Sequence, residues 1–558
     1  MKILNKFVLW KKKQKFTLLI KSRNNPSVHQ EKLLLNIIHK NRNTEFGIKH
    51  NFSCIKSYDD LGKYVPIRTS RQYKNYLDRM YHGELDILSQ QKPFYFAMTA
   101  GSTGEFKHIP MNKGLSKEVD NGVLSYLYLF EQTCPDARNK PIQFLVGSAE
   151  GGQTPGGTTK GFVSGFHYKH FPSVIRDRFV IPYWVFTIEN IAERYYAMVR
   201  FLANKKDLVA LVSMTPQNLC TVAKFAIEHH KRLYQDLMTG DFTLKDTGIY
   251  KGKLPKFEAD KKQAEEFHRC ISETDIQGAV KSLFPSLKYF STWMGGNMSY
   301  AINELFYYYG QKDIFELPSS ASEGIFVIPN KLNTPGGIAA ITSHFFEYIP
   351  EDQLSLATPD VLLVHELEVG KRYYLVITTS GGLYRYNIED LYEVTGKWGN
   401  IPTLRFVSKV ARQVSIANER INESDVVEVM DRLTDNFKTP PENFILIPSK
   451  AGYYDLVVDQ MPNNLLNFSQ LFDQELGRNS AAYQYYRDHK EIKLLKVRVI
   501  KKHVLQQYIK EIQFRSNLPT GQFKPIHVAN SVELFEERFA KFVLEEAVEL
   551  EEAVEEYA

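Results

Sequence analysis

The sequence is short of the features that define several common protein classes. Four cysteines, Cys54, Cys134, Cys220 and Cys270, are scattered over 558 residues with no CxxC pair. That argues against a disulfide framework or a thiolate zinc site and for a reducing, cytoplasmic compartment. No apolar run approaches the length of a bilayer span, and FVLW near the N-terminus gives way at once to Lys11-Lys12-Lys13. Neither a transmembrane helix nor a signal peptide is expected, and the opening segment reads as a first helix packed on the domain behind it. Charge of one sign is not in large excess: 70 basic residues against 64 acidic leave +6, too little for a bulk electrostatic case for nucleic acid. A hydrophobic share of 43% excludes a disordered chain, and the length allows two or more domains. A Walker A loop is also absent, because no Ser or Thr follows the one lysine placed near a glycine loop, and Pro110 discourages a helix after it.

What is present begins with that glycine loop. From Phe94 to Thr99 the chain reads as a buried strand, and it then enters Gly101-Ser102-Thr103-Gly104. Glycines let backbone approach a ligand, the Ser102 and Thr103 hydroxyls offer donors, and Lys107 can return a positive point charge. This is a phosphate grip made without a helix dipole; the plain alternative is a glycine hairpin with a solvated lysine. Farther on, residues 289–305 read as an aromatic strand, a Gly295-Gly296 turn and a helix from about Met298. In LPSSASEG, Ser320, Ser322 and Glu323 precede Gly324, a place where a lone carboxylate among hydroxyls can hold a magnesium ion that bridges phosphates, or where the chain simply turns. In YYLVITTSGGLYRYNIEDLYEVTG, two strands flank Ser380-Gly381-Gly382, and Asp390 closes the second, where it can accept ribose hydroxyls or cap a turn.

The remaining chain supplies scaffolding. Residues 119–130, 191–203 and 219–238 read as helices, and Leu208 to Met214 as a buried strand between two of them, which argues an α/β fold. His229-His230 reads as a solvated pair, Gly147 to Gly165 as a flexible surface loop, and the acidic tail from Leu544 as a solvated helix end.

Taken in order, these clusters resemble the Gretchen Hagen 3 acyl-acid amido synthetases of the adenylate-forming superfamily. Thr99 to Lys107 is similar to the family's hydroxyl-glycine loop, with Ser102 and Thr103 in swapped order. Ser322-Glu323 looks like its Ser-Glu motif, and Phe345-Phe346-Glu347-Tyr348 its adenine strand. Gly382 to Asp390 is close to its Gly-Leu-Tyr-Arg-Tyr followed by Gly-Asp. Gly521 to Pro525 resembles its C-terminal Gln-Tyr-Lys motif. The departures are Thr99-Ala100 for Ser-Ser, Glu105-Phe106 within the loop, Glu389 for glycine, and Arg420 for an interdomain lysine.

The resemblance implies a large N-terminal adenylate-forming α/β domain over residues 1–412 and a smaller mobile C-terminal α/β domain over 413–558. It implies an ATP-dependent ligase, a monomer, that adenylates a small carboxylic acid and passes the acyl group to an amine, usually an amino acid. Lys107, Lys524 and Arg420 then carry catalytic charge. Thr99, Gly101, Ser102, Thr103, Gly104, Ser322, Phe345, Phe346, Tyr348 and Asp390 bind ATP, and Glu323 holds Mg2+. At most two of the three rings at 345, 346 and 348 can face adenine, because successive strand residues point to opposite sides. The rival readings are an acyl-CoA ligase and a nucleotide-binding protein without catalysis.

Overall fold

The computed structural model describes residues 2–100, 106–296, 298–354, 356, 358–409, 412–417, 419, 421–434, 441–460, 465–515, 526–529 and 531–546. The chain divides into two compact units, one of Met1–Met294 with Ala301–Phe406, the other of Gly295–Tyr300 with Val407–Ala558. Both mix helices with sheets. Among the described residues no helix is long and apolar enough to cross a membrane.

Among the described residues the larger unit holds three sheets. Ile142–Leu145, Ala210–Ser213, Tyr289–Ser291 and Asp313–Ile314 pair in parallel, with helices in the connections, the arrangement that buries both faces of short apolar strands. Tyr95–Ala100 pairs antiparallel with Phe106–Met111, with Thr99 opposite Lys107, and parallel with Lys160–Gly161. The eight-stranded sheet runs in the order Leu362–Leu363, Phe345–Pro350, Arg372–Thr378, Tyr386–Trp398, Ile401–Lys409, Gly337–Ala339, Gly324–Pro329, Ser319–Ala321. It therefore joins the Ser322-Glu323 turn, the Phe345 strand and the Asp390 strand in one hydrogen-bonded structure.

The opening helix, Lys2–Ser22, packs on the domain as expected: Lys12 forms a buried pair with Glu131 at 3.0 Å, and Phe16 stacks on Tyr128 at 5.1 Å. Four other expectations are corrected. The stretch 219–238 is two helices, Pro216–Glu228 and His230–Thr239, broken at His229, whose ring stacks on Phe225 at 3.9 Å instead of lying in solvent. The glycine-rich segment from Gly147 is no free loop. It hydrogen-bonds back to the Tyr95–Ala100 strand, from Phe96 N to Thr159 O at 2.9 Å, and a Cβ on Gly161 would lie 2.1 Å from the Ala149 oxygen. Its glycines serve close packing. Leu544 belongs to the strand Val543–Glu546, which pairs with Lys496–Ile500, and residues beyond 546 lie outside the described ones. Finally, the second strand of the third cluster begins only at Tyr386. Residues 380–385 form a loop, held where the Tyr73 hydroxyl donates to Tyr384 O at 2.6 Å and accepts from Tyr384 N at 2.9 Å.

In the smaller unit, Phe444–Pro448, Tyr454–Val458, Lys496–Ile500 and Val543–Glu546 form one sheet, packed beside helices such as Glu423–Thr434 and Leu465–Asn479.

The bend before Tyr386 rests on a buried ion pair. Arg385 adopts φ +46, a left-handed value that disfavours a side chain, yet its guanidinium reaches Glu347 at 2.9 Å and Val65 O at 2.9 Å. Tyr58 also donates to Glu347 at 3.3 Å. Burial pushes the Glu347 carboxyl above its ordinary value, against the pull of Arg385 and Tyr58. Removing one partner leaves a buried charge uncompensated. Arg385→Met is expected to cost about 3–5 kcal/mol in urea unfolding of the larger unit, and Arg385→Met with Glu347→Leu distinctly less.

Candidate active site

The Asp390 strand supplies the centre of the site. Tyr374 pairs with Leu391 and Val376 with Asn387, so Ile388-Glu389-Asp390 stand opposite the single Leu375. Asp390 is thus not at a strand end, as the sequence suggests, but at a bulge inside Tyr386–Trp398, a strand that runs on to Trp398, and is buried. Glu389 takes φ +64, and its N–H donates to Asn387 Oδ1 at 2.9 Å. The family's glycine at this position has a backbone reason, which this chain meets with glutamate.

Alternation then sorts the side chains. Phe346 pairs with Ile377, which pairs with Tyr386, and Tyr348 pairs with Leu375, so Phe346, Tyr348, Tyr386, Asp390 and Tyr392 share one face. Phe345 and Glu347 point to the other. Phe345 lies 5.8 Å from Tyr58, so of the three candidate rings it is the one turned away from Asp390.

Two tyrosines link this face to the Ser322-Glu323 turn and the strand before it. Tyr386 donates to Glu323 Oε1 at 3.2 Å, and the hydroxyls of Tyr392 and Ser319 meet at 2.6 Å. Burial first, then Glu323, Glu389 and Asp390, hold the Tyr386 phenol well above its ordinary value. Burial and Asp390 do the same to Tyr392, with Tyr348 and Glu316 contributing. Tyr348 is fully buried and its hydroxyl has no hydrogen-bond partner among the described residues. The phenols therefore stay protonated, and Tyr386 serves as a donor to the Glu323 carboxylate.

Among the described residues no group of three or more His, Cys, Asp or Glu can hold a metal on its own. Glu323 is a lone buried carboxylate of the kind that could hold magnesium as the ion usually binds beside nucleotides, through one or two carboxylates and the phosphates. Lys107 stands half-buried on its hairpin opposite Thr99. Gly101, Ser102, Thr103 and Gly104 lie outside the described residues, as do Arg420 and Lys524.

Sequence reasoning missed the junction that ties these segments together. Glu118 lies on the helix Lys113–Thr133, which follows the Lys107 strand directly. Its carboxylate accepts from Ser380 N at 3.1 Å and from the Ser380 hydroxyl, and it receives His344 Nδ1 at 3.0 Å. His344 Nε2 in turn accepts from Ile325 N at 3.1 Å. A signal was available: Glu118 interrupts the buried stripe of Leu115, Val119, Gly122 and Tyr126, and a carboxylate on a core-facing stripe needs partners.

Comparison with known proteins settles the lineage. The GH3 family N-terminal domain matches residues 16–314, its central domain 337–409 and its C-terminal domain 424–533. The chain belongs to the GH3 family. Among its relatives is the indole-3-acetic acid-amido synthetase GH3.2 of Arabidopsis thaliana, 26% identical over 438 residues, which are 73% of this chain and 78% of that one. The 4-substituted benzoates-glutamate ligase GH3.12 of the same plant is 25% identical over 432 residues, 72% of each chain. The solved structure of the AtGH3.15 acyl acid amido synthetase in complex with 2,4-DB superposes with a TM-score of 0.80 at 19% identity, covering 96% of this chain and 97% of that one. The GH3 fold is thus shared nearly end to end.

Within this GH3 chain, Glu389→Gly relieves the left-handed strain, and it is expected to raise stability by about 0.5–1 kcal/mol, seen as an upward shift of the thermal midpoint.

Proposed function

We propose that this protein is an ATP-dependent acyl-acid amido synthetase that activates a small carboxylic acid as its adenylate and transfers the acyl group to an amino acid. The observation that carries this reading is the convergence of Glu323, Asp390, Phe346 and Tyr348 through Tyr386 and Tyr392, in a chain of the GH3 family. In the first step a carboxylate oxygen attacks the α-phosphorus of ATP, the bond to the β-phosphate oxygen breaks, and pyrophosphate leaves. An anion thus approaches an anion, so positive charge and in-line positioning carry the catalysis. Lys107 and Lys524 supply that charge, with Arg420 at the interdomain segment.

Asp390 accepts the ribose hydroxyls, and Phe346 or Tyr348 lies against adenine, while Phe345 supports the strand from behind. The loop Thr99 to Gly104 holds phosphate. Glu323, with Ser322 beside it, is the residue that would hold magnesium, whose charge offsets that of the phosphates. In the second step a neutral amine attacks the acyl carbon, the carbon–oxygen bond to phosphate breaks, AMP leaves with that electron pair, and the nitrogen gives up a proton to solvent. The aromatic substrates named for the plant relatives and the aromatic residues near Trp293 both favour an apolar or aromatic acid. The domain division at residues 412 and 413, a monomeric state and a cytoplasmic home belong to the same reading.

The test is pyrophosphate exchange over a library of carboxylic acids, followed by AMP release with amino acids or with coenzyme A as acceptor. Exchange with at least one acid and release driven by amino acids are expected; release driven by coenzyme A alone would replace this reading with a thioester ligase. Lys524→Ala should lower exchange by roughly 10²-fold or more while amide formation from a supplied adenylate stays near normal. Equal loss in both half-reactions would mean that Lys524 supports the fold or the binding of AMP itself, and the step-specific role would be dropped.

A further inference from the structure

Three phosphate- and nucleotide-facing segments of the proposed site are held at one buried point. Glu118 and His344 are almost completely withdrawn from solvent, at 6% and 0% exposure. Ile325 N–H donates to His344 Nε2, so that nitrogen carries no proton, and Nδ1 is the one that donates to Glu118. The Glu118 carboxylate also takes both the amide and the hydroxyl of Ser380. Ser380 O in turn accepts from Asn112 Nδ2 at 2.7 Å, and Asn112 Oδ1 caps the Glu118 helix through Leu115 N at 2.9 Å. The fit is close: a Cβ on Gly324, the residue after Glu323, would lie 2.2 Å from His344 Nε2. Thus the Nε2 edge of the imidazole abuts the Ser322-Glu323 turn, and the carboxylate on its Nδ1 side grips the loop that leads to Asp390.

We propose that Glu118 and His344 are a positioning pair that sets the spacing of the Ser322-Glu323 turn, the Ser380 loop and the helix following the Lys107 strand, and thereby the affinity for ATP with its magnesium. Neither touches substrate. The inference rests on the nucleotide-site reading above. Its physical basis is that supporting residues fix the orientation of ligating ones, so that small displacements reduce binding and rate strongly while the chain stays folded.

The experiment measures KM for ATP, the magnesium concentration giving half-maximal rate, and KM for the acid in pyrophosphate exchange, for Glu118→Gln, His344→Asn and Asp390→Ala. Glu118→Gln is near isosteric but loses an acceptor for Ser380, and His344→Asn keeps a donor toward Glu118 while losing the acceptor for Ile325 N. Both should raise KM for ATP and the magnesium requirement by about 10- to 100-fold with KM for the acid nearly unchanged, a split that loss of fold alone does not produce. If Asp390→Ala raises KM for ATP and the two pair variants stay within twofold of the parent, the positioning role is overturned and the nucleotide site stands. If Asp390→Ala also has no effect, the nucleotide-site reading falls and this inference with it. Should either pair variant fail to fold, amide hydrogen exchange of the unaltered protein decides. The Ile325 and Ser380 amides are expected to gain protection together on addition of ATP and magnesium, and protection of one without the other overturns the coupling.

Discussion

A carboxylate buried on the inner stripe of a helix must be compensated, and in this protein the compensation of Glu118 determines what lies near what. Its oxygens are satisfied by Ser380 and His344, residues far away in sequence, and His344 passes the constraint on to the backbone after Glu323. A carboxylate left without partners there would be costly, so the three segments are drawn to one another by the need to satisfy its oxygens. Gln30 adds a second tie of this kind, donating to Ile341 O and His344 O while accepting from Phe346 N, and so fixes the entry to the Phe345–Pro350 strand. Polar groups satisfied in this way specify register where apolar packing alone would tolerate slippage.

The second organising feature is electrostatic. Glu323, Asp390 and Glu389 act together on Tyr386, in surroundings dry enough to hold its proton firmly. Negative charge gathered this way does not by itself welcome a polyphosphate. It fits the magnesium-bound nucleotide proposed above, whose cation offsets the charge. Glu389, standing where the family carries glycine, adds charge and backbone strain at the same place, which is where strain is most often retained.

How far the sequence could be read depended on the range of the forces at each place. The hairpin around Lys107 was legible because apolar alternation and glycine are local signals, and its register now sets Thr99 against Lys107. The helix after it ran longer than its apolar core suggested, from Lys113 to Thr133. The break at His229 was hidden because helical periodicity continues through it, and the pairing of Leu544 was hidden because acidic residues at a sheet edge read like any solvated end. Asp390 was read as an acid closing a strand, but it lies inside one. A bulge of three residues against one leaves no mark in composition, and a left-handed backbone is not expected at glutamate.

By itself, the sequence determined the α/β character, the glycine hairpin, the Ser-Glu turn, the candidate adenine strand and the family, because each rests on residues close together in the chain, whose pattern is set by burial and turn chemistry. Tertiary structure alone decided that Phe345 faces away from Asp390 while Phe346 and Tyr348 face toward it, that Arg385 spends its charge on Glu347, and that Glu118 joins three motifs. These depend on strand register and on pairings across tens to more than two hundred residues, and the energy of such pairings comes from desolvation, which no stretch of sequence carries until the chain has closed around it.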